Sequence, residues 1–274
     1  MTLQIKRAGI IAKKDDRQAA DYARHLRRWL EQRGIETVLD ELSADLHLLI
    51  ILGGDGTLLH VAETAARHDI PVIGINLGNL GFLTELTQEE SESALAAIIS
   101  GPAAMERRMM LKARLLESGR QHDYRHALND IVISKNAIDR LLHLATKADG
   151  NPITTYQSDG LIFSTPTGST AYNLSAGGPL VHPELETILV TPICPFMLSS
   201  RPTIVPPEMT ITSEFLADDL GSRAKVIIDG QRVWDMKPGD VLEVSTSEYA
   251  LRLISSTKRD YFSILRNKLK WGAR

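Results

Sequence analysis

With 274 residues, 43% of them hydrophobic and 24% charged, the chain has enough apolar mass for one large folded domain or two smaller ones. Its net charge of −3 gives no bulk electrostatic reason to expect binding to nucleic acid or to a membrane. The single cysteine, Cys194, excludes an intrachain disulfide and a cysteine-based zinc site. Because no run approaches the roughly 18 apolar residues of a membrane span and no signal peptide is recognisable, we expect a cytoplasmic protein.

The first hundred residues alternate between strand-like and helix-like patterns. Apolar runs predict strands at 8–12, 35–39, 46–52 and 71–76, and amphipathic helices follow the first, third and fourth of these runs. A glycine-rich loop over 77–82 precedes the last of these helices, and Thr87 and Glu90 have the spacing of its capping box. Strands and helices that alternate with short connections are typical of a parallel sheet. We therefore predict an α/β domain over residues 1–101, with a doubly wound, mostly parallel sheet.

The pattern changes after Pro102, where short strand-like runs separated by turn residues dominate. The runs include 241–245 and 251–254, and Asp229-Gly230 is one of the predicted turns. Such a series predicts an all-β domain, a sandwich, over residues 102–256. The last segment, 257–274, is helix-like again, and we expect it to dock back onto the first domain.

A glycine-rich loop follows the apolar run that ends at Leu52. It comprises Gly53, Gly54, Asp55, Gly56 and Thr57, and a helical pattern runs from about Thr57 to His68. Glycines let the backbone turn sharply and bring its N–H groups close to an anion, at the point where a helix N-terminus adds partial positive charge. The alternative is a tight turn in which Asp55 only caps the helix. The lysine of a P-loop, the G-x-G-x-x-G fingerprint and the protein-kinase motifs are all missing from the sequence.

Two further stretches carry candidate chemistry. Asn129 and Asp130 interrupt an apolar strand, which fits a ligand contact and a strand-end cap equally well. The segment 158–179 is rich in glycine and hydroxyl groups and includes Tyr172. A flexible linker is one interpretation of such a composition. Its varied residues and tight apolar flanks favour a loop that wraps a nucleoside.

Taken together and in this order, the three stretches resemble the bacterial NAD kinase family. The resemblance runs from Ile11 to about Gln231. Diacylglycerol-type lipid kinases and phosphofructokinases carry a similar glycine loop, whereas the unbroken TPTGSTAYNLSAGG within 158–179 is highly specific. The family's architecture, an α/β domain followed by a β-sandwich, agrees with the organisation predicted above.

The resemblance implies transfer of the γ-phosphoryl group of ATP to the 2′-hydroxyl of the adenosine ribose of NAD, which gives NADP. Asp55 takes the position of the catalytic base. The residues implied to bind NAD are Asp55, Gly56, Asn129, Asp130, Arg140, Asp159, Thr170, Ala171, Tyr172, Asn173, Leu174, Ser175 and Gln231. Asp130 replaces the commoner glutamate of the family's Asn-Glu pair and is one methylene shorter, so a water would have to bridge the difference.

The resemblance also implies Mg²⁺ or another divalent cation carried in with ATP, without a dedicated protein metal site. It favours a homodimer or homotetramer, with NADP or NADPH as feedback ligands. The choices between ATP and polyphosphate, and between NAD and NADH, stay open. Two rival functions remain at this stage: a lipid or sugar kinase that shares the glycine loop, and a nucleotide-binding sensor that has lost catalysis.

Overall fold

A computed structural model describes residues 4–78, 80–136, 140–217, 221–256 and 259–271. The chain divides into two compact units, one formed by Met1–Arg108 with Ala250–Arg274 and the other by Met109–Tyr249. The α-helices of the described residues are α1 Arg17–Glu31, α2 Asp55–Arg67, α3 Gln88–Ser100, α4 Tyr172–Ser175 and α5 Tyr261–Leu269. None of these helices is long and apolar enough to cross a membrane.

The strands begin with a group in the first hundred residues: β1 Arg7–Ala12, β2 Glu36–Leu39, β3 Leu48–Leu52, β4 Val72–Asn76 and β5 Leu86–Thr87. The strands that follow are β6 Met105–Glu117, β7 Arg120–Gln121, β8 Arg125–Ala127, β9 Asp130–Lys135, β10 Leu142–Ala148, β11 Asn151–Ser158, β12 Gly160–Ser164, β13 Ile188–Ile193, β14 Thr203–Val205, β15 Ile211–Leu216, β16 Ala224–Ile228, β17 Gln231–Met236 and β18 Val241–Ile254.

The first unit contains a parallel sheet in the order β2-β1-β3-β4. All five residues of β3 are buried, which explains why this strand is an unbroken apolar run without alternation. The order reverses between β1 and β3, and ligands of doubly wound sheets bind beyond the carboxyl ends of the strands at such a reversal. The glycine loop that follows β3 lies at this place.

Side-chain caps mark the start of α1 and of α3. Asp16 caps α1 by accepting a hydrogen bond from the N–H of Ala19 at 3.1 Å. Thr87 and Glu90 form the capping box of α3 that the sequence predicts. The helix after the glycine loop begins at Asp55, two residues earlier than the pattern predicted.

The second unit has two antiparallel sheets. One has the order β14-β13-β12-β9-β16-β17, and the other places β10 between β11 and β15, with β15 paired to the first part of β18. A shared apolar core from both sheets includes Phe163, Tyr156 and Phe215, all nearly fully buried. The predicted fold class, an α/β part followed by a β-sandwich, is confirmed. Two predicted strands near 241 and 251 are instead one strand, β18.

Candidate active site

The loop after β3 enters α2 through Gly53 and Gly54. Gly53 has a φ of 154°, and a Cβ there would lie 2.6 Å from Oγ1 of Thr57, so the turn requires glycine. Gly54 is the N-cap residue of α2 and makes no side-chain capping hydrogen bond. A helix N-terminus of this kind offers backbone N–H groups and partial positive charge to an anion.

Asp55 is the first residue of α2, and its half-buried carboxylate is held by a segment 27 to 29 residues later in the chain. The donors are the backbone N–H of Phe82 (2.8 Å), of Leu83 (3.0 Å) and of Thr84 (3.1 Å), together with Oγ1 of Thr84 (3.1 Å). The carboxylate therefore keeps a single orientation at the edge of the glycine loop.

Gly81 makes this arrangement sterically possible. A Cβ at this position would lie 1.9 Å from Oδ1 of Asp55 and 2.4 Å from Oγ1 of Thr84. Sequence reasoning treated the segment around Gly81 only as a glycine-rich connection and missed its role. The glycine itself was the available signal, because a conformationally free residue beside an apolar run often marks a close approach of backbone.

In the second unit, Asp229 holds the backbone of residues 128–130 in place. The carboxylate of Asp229 accepts hydrogen bonds from the backbone N–H of Leu128 (2.7 Å), of Asn129 (2.8 Å) and of Asp130 (3.1 Å). Asp229 has a φ of 46° in the turn between β16 and β17, where it returns its own N–H to the carbonyl of Asp130 at 3.0 Å. The sequence identified this position only as a turn.

The side chain of Asp130 is 6% exposed and makes no hydrogen bond to the described residues. Burial, together with the negative charge of Asp229, raises the pKa of the Asp130 carboxyl from 3.8 to about 7. A carboxyl that keeps its proton near neutral pH can donate a hydrogen bond as well as accept one. This property suits recognition of a sugar hydroxyl.

The segment after β12 is tied to the Asn129-Asp130 pair. Oγ1 of Thr165 donates to the carbonyl of Leu128 at 2.6 Å, and the N–H of Thr165 donates to the carbonyl of Asn129 at 2.9 Å. A Cβ at Gly168 would lie 2.1 Å from that same Asn129 oxygen, so only glycine allows the approach. The structure thus brings together two of the three candidate stretches.

The glycine- and hydroxyl-rich segment is structured and is not a flexible linker. It contains a 3₁₀ turn at Thr167–Thr170 followed by α4. The buried amide of Asn173 donates to the carbonyls of Ser169 (3.3 Å) and Pro179 (3.0 Å) and accepts from Oγ1 of Thr191 at 2.7 Å. Asn173 therefore shapes the loop from within.

The neighbours of Asn173 lie nearer the surface. Tyr172 is 47% exposed and Ser175 is exposed, whereas three other members of the predicted run are half-buried: Thr170, Ala171 and Leu174. These five side chains are accessible to a ligand, in contrast to that of Asn173.

Of three other predicted site residues, one lies away from Asp130 and two are exposed. Asp159 pairs with Lys135 at 2.6 Å, at the far end of β9 and β12 from Asp130. Arg140 is exposed, and so is Gln231, the first residue of β17 after the Asp229 turn. Among the described residues, no three His, Cys, Asp or Glu side chains are placed to hold a metal ion.

Comparisons with known proteins agree with these observations. Residues 36–103 match the model of the ATP-NAD kinase N-terminal domain, and residues 128–256 match that of the ATP-NAD kinase C-terminal domain. The chain is 39% identical to the NAD kinase of Geotalea daltonii, over 98% of this chain and 100% of that protein. It is 41% identical to the NAD kinase of Syntrophotalea carbinolica with the same coverage.

The chain belongs to the NAD kinase family.

Solved structures extend this relationship. The fold is similar to that of yeast NADH kinase complexed with NADH, with a TM-score of 0.89 and 25% identity over 99% of this chain and 89% of that one. It is also similar to an NAD kinase from Archaeoglobus fulgidus in complex with ATP, with a TM-score of 0.79 and 28% identity over 96% of this chain and 98% of that one. The predicted resemblance to the NAD kinase family is therefore confirmed over nearly the whole chain.

Proposed function

We propose that this member of the NAD kinase family transfers the γ-phosphoryl group of ATP to the 2′-hydroxyl of the adenosine ribose of NAD, giving NADP and ADP. One observation carries the assignment: the carboxylate of Asp55 is fixed by three backbone N–H groups beside a glycine loop at the N-terminus of α2. A phosphate site and a proton acceptor are thereby adjacent. This adjacency is what phosphorylation of an alcohol requires.

In this mechanism, Asp55 orients the attacking hydroxyl and accepts its proton late. Phosphoryl transfer passes through a loose transition state, so it depends mainly on in-line positioning and on stabilisation of charge. Four hydrogen bonds hold the Asp55 carboxylate in one orientation, which favours this positioning role. The backbone N–H groups of Gly54, Asp55 and Gly56, at the N-terminus of α2, hold phosphate oxygens. Those of Gly53 and Thr57 already donate to the carbonyls of Ile75 and Gly54, each at 3.0 Å.

Asn129 and Asp130 hold the ribose of NAD in this proposal. The side chain of Asn129 is half-buried and makes no hydrogen bond to the described residues, so its amide can bind ligand. The neutral carboxyl of Asp130 can donate to a hydroxyl or to a bridging water. Further NAD contacts come from Gly56, Arg140, Asp159, Gln231 and the run 170–175, in which Asn173 acts by shaping the loop.

A divalent cation such as Mg²⁺ accompanies ATP and offsets the charge of its phosphates. Oδ1 of Asp55 already accepts three hydrogen bonds, which favours a cation whose ligands come mainly from the nucleotide. NADH as an alternative acceptor, polyphosphate as an alternative donor and feedback by NADP or NADPH complete the proposal. We place the reaction in the cytoplasm, in keeping with the single cysteine, Cys194.

We also infer that the protein is a homodimer or homotetramer. An exposed apolar segment in the second unit supports this: Phe196 is 69% exposed, Met197 50% and Leu198 88%. Ile204, on the edge strand β14, is 52% exposed. Apolar side chains grouped in this way often mark a protein interface. Size-exclusion chromatography with light scattering measures the mass, and a monomer at micromolar concentration would contradict the inference.

The assay incubates the protein with Mg-ATP and NAD and detects NADP with a strictly NADP-dependent dehydrogenase. Asp55→Asn should lower turnover by about 10²- to 10⁴-fold, with NAD affinity nearly unchanged. Asp21→Asn, on the exposed face of α1, is the matched control and should behave as the unmodified protein. Near-normal turnover of Asp55→Asn would exclude the role given to Asp55.

The same assay separates the rival functions. Absence of NADP with phosphorylation of a lipid or sugar would indicate the first rival. Binding of NAD and ATP without any turnover would indicate a sensor.

A further inference from the structure

The two oxygens of the Asp55 carboxylate are used unequally. Oδ1 accepts three hydrogen bonds, from the N–H groups of Leu83 and Thr84 and from Oγ1 of Thr84. Oδ2 accepts one, from the N–H of Phe82 at 2.8 Å. An ionised carboxylate has about four lone-pair positions, two on each oxygen. Oδ1 is therefore saturated by described residues, and the remaining acceptor capacity lies on Oδ2.

A buried asparagine determines the direction of the Thr84 hydroxyl proton. Oδ1 of Asn76 accepts a hydrogen bond from the N–H of Gly78 at 2.9 Å, which fixes the orientation of the amide. Nδ2 of Asn76 consequently faces Oγ1 of Thr84, at 3.1 Å, as a donor. Because Oγ1 of Thr84 accepts this hydrogen bond, the single O–H of Thr84 is left to donate to Oδ1 of Asp55.

Close packing holds Thr84 in this position. Its side chain is completely buried, and Asn76 is 8% exposed. A Cβ at Gly74, in the middle of β4, would lie 2.6 Å from Cγ2 and 2.8 Å from Cα of Thr84. A Cβ at Gly81 would lie 2.4 Å from its Oγ1. Two glycines thus create the space in which the threonine is enclosed, and the hydroxyl has no solvent alternative.

We propose that Thr84, with Asn76 behind it, is a positioning residue for phosphoryl transfer, which saturates Oδ1 of Asp55 so that Oδ2 alone receives the substrate hydroxyl. The inference rests on the proposed function, because it assigns the accepting atom within that mechanism. The hydrogen bonds from Asn76 to Thr84 and from Thr84 to Asp55 orient the carboxylate, so that Oδ1 is held by the protein and Oδ2 is left for the substrate.

Thr84→Val tests the inference because it removes the hydroxyl and keeps both the backbone donor and the side-chain shape. We expect kcat to fall about tenfold, with KM for NAD and ATP changed less than twofold. Thr84→Ser restores the hydroxyl and should recover most of the lost kcat. Thr64→Val, at an exposed position of α2, is the control.

Asn76→Asp tests the same chain from its other end. The new carboxylate accepts the Thr84 hydroxyl proton and turns it away from Asp55, so this variant should resemble Thr84→Val. The double variant should be no slower than the slower single one, because both changes remove the same hydrogen bond. Thermal unfolding of each variant shows that it is folded.

Three results would overturn the inference: a Thr84→Val enzyme with unchanged kcat, equal losses in Thr84→Val and Thr84→Ser, or additive losses in the double variant. Failure of the proposed function is recognised separately. In that case the unmodified protein makes no NADP, or Asp55→Asn turns over normally.

Discussion

The buried carboxyl of Asp130, in the second unit, should make the stability of the protein depend on pH. The folded protein retains the proton of this buried carboxyl up to about pH 7, whereas in the unfolded chain the carboxyl loses it near 3.8. Between these values the folded state binds more protons. The free energy of unfolding must therefore fall as pH rises through this window. Asp130→Asn is uncharged at every pH and removes this contribution.

The magnitude follows from the two pKa values. A difference of about three pH units corresponds to roughly 4 kcal/mol in full, and roughly 2.5 kcal/mol of it appears between pH 5 and pH 8. Because the Asp130 side chain is only 6% exposed, solvent screens little of this energy. The stability difference between Asp130→Asn and the unmodified protein should shift in favour of the variant by roughly that amount between the two pH values.

Urea denaturation at pH 5 and pH 8 measures this difference. Asp123→Asn, an exposed position in the same unit, controls for the loss of one carboxylate. A stability difference for Asp130→Asn that stays the same at both pH values would refute the reasoning. It would mean that the buried carboxyl finds a compensating donor when it ionises.

Two further substitutions test one contact beside Asn129 and one ion pair of the first unit. Gly168→Ala places a Cβ 2.1 Å from the carbonyl oxygen of Asn129. It should reduce the free energy of unfolding by about 1–3 kcal/mol and weaken NAD binding. Gly101→Ala is the control, because the nearest contact of its Cβ would be 3.4 Å, and it should change neither quantity. Arg259→Ala removes two hydrogen bonds to the carboxylate of Glu90, at 2.9 and 3.0 Å, and one to the carbonyl of Glu85 at 2.8 Å. It should lower the urea midpoint by the equivalent of about 1–3 kcal/mol. A change too small to measure would contradict the contribution assigned to these three hydrogen bonds.

Local sequence patterns predicted much of the fold correctly. The unbroken apolar run at β3 and the capping box of Thr87 and Glu90 each depend on residues close together in the chain. Strand ends were less predictable. β18 was divided in two because its polar middle, near Ser247, resembles a turn in the sequence although hydrogen bonding continues the strand. Short hydrophobic patterns indicate which residues are buried but not which strands pair by hydrogen bonds.

The sequence by itself determined the family, because its motifs are contiguous and their chemistry is visible in their residue types. The same motifs predicted roles for the glycine loop with its carboxylate and for the Asn129-Asp130 pair. Only the tertiary structure revealed the groups that hold these motifs. Asp55 is oriented by Thr84, 29 residues away, and the backbone of Asp130 by Asp229, 99 residues away. In both cases a carboxylate collects consecutive backbone N–H groups from a distant segment. The residue types do not predict such a contact, because nearly every residue carries the same backbone N–H donor. Only the fold determines which of these donors faces the carboxylate.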